Sequence, residues 1–305
     1  MSIIEQAAKR LEQLQRAGVE MPWAPSARVE SPLPATEPAA PAPVAPTLAG
    51  VATLGRPARS HPKPAATVAL DLDGLREAGF LAPDQVRSRM AHQFRHIKLP
   101  LLMNARPKAD APDQRGSLIM VTSALSNEGK TFCAINLAIS MAMEVDTSVL
   151  LIDADLIRPS LFARLGVTAE VPGLMDLLTR NDLGLHDAIV ATNVPKLSLM
   201  STGDLSDRST ELLESAAMDR LLTRLAEDYA DHLIIFDAPP LLLTTESAVL
   251  AAKVGQVVVV VEAGKTPRAS VQEAFGTLRD CPIVLTVLNK CEQPGEGQRY
   301  GYYYG

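Results

Sequence analysis

Apolar residues along this chain fall into two kinds of spacing, and the alternation between them organises everything from about residue 83 onward. Short, almost uninterrupted apolar runs occupy residues 118–122, 149–153, 197–201, 233–237, 256–261 and 283–288. Runs of this length bounded by polar or Gly/Pro residues read as strands buried on both faces. Between them lie longer amphipathic stretches, among them a basic helix expected over 84–98 and an Ala-, Ile-, Leu- and Met-rich helix over 132–143. Strands alternating with helices predict an α/β fold, a mostly parallel sheet with helices on both faces. The N-terminal part follows neither pattern. Residues 1–20 predict a short amphipathic helix, with Ser2 and Glu5 as a capping box and Ile4, Ala8, Leu11 and Leu14 on one face. Eleven of the 23 prolines lie between Met21 and Thr67, so 21–82 reads as a disordered Pro/Ala-rich linker outside the core. The expected organisation is helix 1–20, linker 21–82, a single folded domain 83–292 and a flexible tail 293–305.

The chemistry concentrates where the strands end. Ala124-x-x-x-x-Gly129-Lys130-Thr131 has the spacing of a phosphate-binding loop, preceded by a strand and followed by a helix. In such a loop backbone N–H groups face phosphate oxygens, the lysine reaches the β and γ phosphates, and the hydroxyl binds Mg²⁺. The loop opens on Ala instead of Gly and carries Asn127 where glycine is easier, which leaves a chance Gly-Lys-Thr as the alternative; Asn tolerates positive φ best among non-glycine residues. Two further strands end in carboxylates, at Asp153-Ala-Asp155 and at Asp237-Ala-Pro-Pro240. Carboxylates at the C-terminal ends of parallel strands lie where such sheets bind ligands, and can hold Mg²⁺ or deprotonate an attacking hydroxyl. A lone Asp after a strand more often caps the next loop, but three in this order after a phosphate loop make a nucleotide site the better reading. Finally, four of the five tyrosines, Tyr300, Tyr302, Tyr303 and Tyr304, crowd the last six positions. Beside a nucleotide site they form a natural autophosphorylation substrate.

These motifs resemble those of the bacterial tyrosine kinases, P-loop autokinases of polysaccharide export, in the branch associated with exosortase systems. The resemblance runs from Ser2-Ile-Ile-Glu-Gln-Ala-Ala-Lys-Arg-Leu-Glu through Phe94-Arg-His-Ile-Lys98, the loop and Val149-Leu-Leu-Ile-Asp153-Ala-Asp155 to Thr210-Glu-Leu-Leu213, Phe236-Asp-Ala-Pro-Pro240 and Val287-Leu-Asn289-Lys290. It implies a P-loop NTPase-type fold, with Lys130 and Thr131 in the Walker A motif, Asp153 and Asp155 in a second Walker motif and Asp237 in Walker B. By the same resemblance Lys130, Asp153, Asp155 and Asp237 are the catalytic set. Ser126, Asn127, Glu128, Gly129, Lys130, Thr131, Phe132 and Asn289 contact the nucleotide, and Thr131, Asp155 and Asp237 hold the metal. The family further implies ATP and Mg²⁺ as cofactors, transfer in trans within a homo-oligomer, and a membrane-spanning chain-length determinant (co-polymerase) as activating partner. The chain departs from the family at Ser126-Asn127 for Pro-Gly and at Ile157 for an arginine. In the ring-forming motif, His92, Arg95 and Lys98 stand where a Glu and two arginines are expected.

Composition removes some alternatives. A net charge of −6 predicts no nucleic-acid partner. Cys133, Cys281 and Cys291 lack metal-ligand spacing and suit a reducing compartment. No apolar run reaches the roughly 20 residues of a membrane span, so a cytoplasmic protein recruited to the inner face of the plasma membrane is expected. Asn289-Lys290-Cys291-Glu292 resembles the Asn-Lys-x-Asp signature of guanine-specific proteins, but Asn289 meeting the edge of adenine is the shorter reading and ATP is preferred. Three function classes stay open: a tyrosine autokinase that regulates exopolysaccharide polymerisation and export, a partitioning-type P-loop ATPase, and a nucleotide-binding adaptor of a membrane complex. The second lacks its signature lysine, whose place is taken by Leu125.

Overall fold

The computed structural model describes residues 64, 66–106, 114–206 and 208–292. The helix expected at 1–20, most of the linker and the tyrosines of 293–305 lie outside the described residues. In chain order the elements are β1 (Ala66–Val68), α1 (Leu72–Glu77), α2 (Arg89–Ala105), a 3₁₀ turn (Gln114–Ser117), β2 (Leu118–Ser123), α3 (Lys130–Ala142), β3 (Ser148–Asp153), α4 (Leu161–Arg164), α5 (Leu174–Thr179), α6 (Leu185–Ala188), β4 (Val190–Thr192), β5 (Leu197–Met200), α7 (Ser209–Glu214), α8 (Ala216–Asp228), β6 (His232–Asp237), α9 (Thr245–Ala251), β7 (Gln256–Glu262), α10 (Arg268–Gly276) and β8 (Ile283–Asn289).

The eight strands form one sheet in the order β1-β4-β5-β3-β6-β2-β7-β8, parallel throughout except for the β4–β5 pair. Successive side chains of a strand point to opposite faces, and here both faces are covered, which is why the middles of the central strands are apolar on both sides, with polar residues confined to their ends. Met120, Ile152, Phe236 and Val259 pack on one face against Leu221 and Leu225 of α8 and Leu250 of α9. Ile119, Leu151, Ile235 and Val258 pack on the other against Ile135 and Ile139 of α3 and Leu101 of α2. The amphipathic α8 begins at Ser215, whose side chain accepts from the Met218 N–H, and buries Met218, Leu221, Leu222, Leu225 and Ala226 as one stripe. All six expected strands are present, and the mostly parallel sheet with helices on both faces is the architecture observed.

Three expectations need correction. The folded part begins before residue 83: β1 and α1 lie inside the expected linker, and Leu70, Leu75, Phe80, Leu81 and Ala82 are buried. That segment is held from a distance. The Asn193 side chain exchanges hydrogen bonds with the Leu70 backbone (2.9 and 3.1 Å), and Asn136 Oδ1 accepts from the Leu81 N–H at 2.6 Å. The basic helix is shifted from the expected 84–98: Ser88 caps it, it starts at Arg89 and it continues past Pro100 to Ala105. Leu101 on that last stretch is fully buried, which offsets the hydrogen bond lost at the proline. Lastly, Lys98 is not on the exposed basic face: its ammonium is buried, 2.5 Å from the Ser140 carbonyl and 2.7 Å from Glu144 Oε1 at the end of α3, whereas His92 and Arg95 are exposed. Among the described residues no helix is long and apolar enough to cross a membrane.

Candidate active site at the strand ends

Sheet order brings β3, β6, β2 and β7 side by side, so the residues following them meet at one edge. The loop after β2 runs from Ala124 into α3 and needs two left-handed residues, Asn127 (φ 66°) and Gly129 (φ 96°). Asparagine accepts that conformation. At Gly129 a side chain is also excluded by space, since a Cβ would lie 2.1 Å from Asn289 Nδ2. Gly129 is the N-cap of α3 and makes no side-chain cap bond, so the loop brings the positive end of that helix dipole to the site.

Lys130, the first residue of α3, turns its ammonium toward the carboxylates. Its Nζ lies 2.6 Å from Asp155 Oδ2, 3.8 Å from Asp237 Oδ1 and 3.5 Å from Thr131 Oγ1. The remaining Asp155 oxygen accepts from the N–H groups of Ile157 (3.2 Å) and Arg158 (3.0 Å). Asp153 accepts three backbone N–H bonds, from Asp155 (3.2 Å), Ser160 (3.1 Å) and Leu161 (3.0 Å), which fold the segment after β3 around it. Asp237 differs from both: it is fully buried, and neither oxygen has a hydrogen-bond partner. Burial pushes its carboxyl up to about 7, reinforced by the charge of Asp153 and opposed by that of Lys130. Burial also raises Asp153, to about 6, against the N–H bonds from Leu161 and Asp155 that favour its charged form.

Three buried carboxylates around one ammonium leave the cluster short of positive charge, and the orphaned oxygens of Asp237 are where the shortage is greatest. A divalent cation fits that deficit. No group of three or more His, Cys, Asp or Glu side chains among the described residues is arranged to hold a metal unaided. The residues that could complete the shell of a hard cation bringing oxygen ligands of its own are Thr131, Asp155 and Asp237.

Of the other expected site residues, Ser126 and Asn127 lie exposed on the rim of the loop, whereas Glu128 is buried. Glu128 Oε2 accepts from the Leu125 N–H (2.6 Å), and its other oxygen accepts from the Thr266 hydroxyl, so this side chain braces the loop. Phe132 packs against Phe80, ring centroids 5.2 Å apart, within the core on the α3 side of the sheet. Asn289 donates from Nδ2 to the Glu128 carbonyl at 2.9 Å and so meets the loop backbone. Sequence reasoning missed the residues that fasten the loop to β7 and β8: Glu262, Thr266 and Lys290. The Asn289-Lys290 pair was the available signal, although it pointed to the base rather than to the loop.

The AAA domain family matches residues 118–279. The chain is 28% identical over 224 residues to the tyrosine-protein kinase YwqD of Bacillus subtilis strain 168, a match covering 73% of this chain and 90% of that one. It is 32% identical over 162 residues to the tyrosine-protein kinase CpsD of Streptococcus agalactiae, covering 53% and 69% of the two chains. Among solved structures, the VpsO kinase domain superimposes with a TM-score of 0.53 at 31% identity, over 65% of this chain and 99% of that domain.

Proposed function

That this chain belongs to the AAA-domain family of bacterial tyrosine-protein kinases is the premise from which we propose its reaction: transfer of the γ-phosphoryl group of ATP to Tyr300, Tyr302, Tyr303 and Tyr304 of a neighbouring copy. The observation that carries this reading is the convergence of Lys130 on Asp155 at 2.6 Å and on the fully buried Asp237 at 3.8 Å, whose oxygens have no hydrogen-bond partner. Loop N–H groups and the α3 dipole receive the phosphates. Lys130 exchanges its contact with Asp155 for the phosphate oxygens, where its charge stabilises the transferring group. Mg²⁺ bound with the nucleotide would be held by Thr131, Asp155 and Asp237, and would neutralise charge on the β and γ phosphate oxygens.

The incoming tyrosine Oη forms the new bond to phosphorus as the bond to the β–γ bridging oxygen breaks and ADP leaves. The tyrosine proton passes to Asp153. An ionised carboxylate offers about four lone-pair sites, and Asp153 spends three on backbone N–H groups, leaving one for that proton. Its upward shift to about 6 brings it closer to the affinity a base needs near neutral pH. The 13 residues after Glu292 span at most about 45 Å when extended, enough to reach a second subunit. On the family resemblance we assign the protein to regulation of exopolysaccharide polymerisation and export. Its activator is a membrane-spanning chain-length co-polymerase at the inner face of the plasma membrane, and it works as a homo-oligomer. Exposed His92 and Arg95 are free to meet another copy, whereas Lys98 is committed to Glu144.

The test is incubation of the purified full chain with Mg-ATP, followed by mass spectrometry of the C-terminal peptide. Phosphate is expected on the four tyrosines and none in Lys130→Met. Near-normal phosphotyrosine in that variant would refute the assignment.

A further inference from the structure

The phosphate loop is held from its outer side by two consecutive residues at the end of the last strand. Asn289 Nδ2 donates to the Glu128 carbonyl at 2.9 Å, and Lys290 Nζ donates to the Asn127 carbonyl at 2.6 Å. The same ammonium lies 3.0 Å from Glu262 Oε2 at the end of β7. From there the network returns to the loop, because the Glu262 N–H donates to Thr266 Oγ1 (3.1 Å) and the Thr266 hydroxyl donates to Glu128. Among the described residues only three non-glycine residues have positive φ, namely Asn127, Lys196 and Lys290. Two of the three are bonded to each other across this contact, as expected where surrounding structure fixes an uncommon backbone conformation for a purpose.

The purpose follows from peptide geometry. In a trans peptide the C=O and the following N–H point to opposite sides. Fixing the carbonyls of Asn127 and Glu128 toward β8 therefore aims the N–H groups of Glu128 and Gly129 away from β8, as a phosphate-binding nest requires. Without the lysine, the Asn127–Glu128 peptide has lost the charged donor that holds its carbonyl outward. Its exposed position on the loop rim gives it room to turn.

We propose that Lys290 is a positioning residue for the phosphate loop: by holding the Asn127 carbonyl it presets the N–H groups that bind the nucleotide, and so links nucleotide affinity to the chain segment from which the tyrosine tail departs. The inference rests on the nucleotide-site reading above. It adds a role for a residue two positions before Glu292, outside the Walker motifs. Lys290 touches no reacting atom and acts through the Asn127 carbonyl that it holds.

The experiment uses the full chain and Mg-ADP as the probe, with affinity measured by calorimetry and peptide mobility by hydrogen exchange without nucleotide. Losing a charge-assisted bond to a binding loop corresponds to about a tenfold weakening. We expect that loss in Lys290→Met, a similar but smaller loss in Glu262→Gln, and recovery in Lys290→Arg, which keeps the charge and the reach. The Glu128 and Gly129 amides should exchange faster in Lys290→Met than in the parent, with the thermal midpoint little changed because the Lys290 side chain is half exposed. If the parent binds Mg-ADP and Lys290→Met binds it equally well, the positioning role is wrong while the nucleotide site stands. If Lys290→Arg is as weak as Lys290→Met, or the loss tracks a fall in thermal midpoint, the effect is general damage and the proposal is overturned. A parent that binds no Mg-ADP removes both readings.

Discussion

Asp237→Asn should flatten the loss of stability that this protein suffers between mildly acidic and mildly alkaline pH. The carboxyl of Asp237 is raised from 3.8 to about 7 in the folded chain, chiefly by burial. Between those two values the folded state binds the proton and the unfolded state does not, so stability falls as pH rises through that window and levels off above it. Integrating a single site with these two constants from pH 5 to pH 8 gives about 2–3 kcal/mol. For a domain of this size that is roughly 5–10 °C in melting temperature. Asparagine keeps the shape and cannot ionise, while Lys130 keeps its 2.6 Å partner Asp155. Melts of parent and variant at pH 5 and pH 8, with a chelator and without nucleotide, isolate by difference the site together with its coupling to Asp153. The variant should lose about 2–3 kcal/mol less than the parent over this interval. Equal pH dependence would show that Asp237 carries no such burden, and the argument for a cation at its orphaned oxygens would lose its main support.

Two further outcomes are expected. Asp153→Asn places an amide where Ser160 and Leu161 N–H groups need an acceptor, at a cost of about 1–3 kcal/mol; backbone amides of 155–161 should exchange faster, and turnover should fall without rescue by added Mg²⁺. Full rescue would remove the separate role given to Asp153. A Lys130→Met chain with an intact tail, mixed with an active chain truncated after Gly297, should acquire phosphotyrosine. Its absence, under conditions where the intact active chain labels itself, excludes transfer in trans.

The central sheet was legible because a strand covered on both faces leaves an apolar run with little else to be, as at Val257 to Val261. The strands β1 and β4 were not legible. Three residues carry no period, and β1 is in place through pairing with Val190–Thr192 and through Asn193, more than a hundred positions away. At the site, spacing identified which residues would share a locality, since Lys130, Asp153, Asp155 and Asp237 all follow adjacent strands. It did not separate the three carboxylates, whose differences depend on what each one accepts: three N–H groups, a lysine with two N–H groups, or nothing. Lys98 shows the same limit, because a basic helix face read from its charges cannot reveal that one ammonium turns inward to cap α3.

Strand order has a geometric consequence for the two ends of the sheet. β1 and β8 are the two outermost strands, separated by seven inter-strand spacings of about 4.8 Å, or roughly 34 Å. The described chain therefore enters the sheet at Ala66 on one border and leaves its last strand at Asn289 on the opposite one. The loop after β2, with Lys130 and the three carboxylates, lies between those two borders, so neither edge strand covers it.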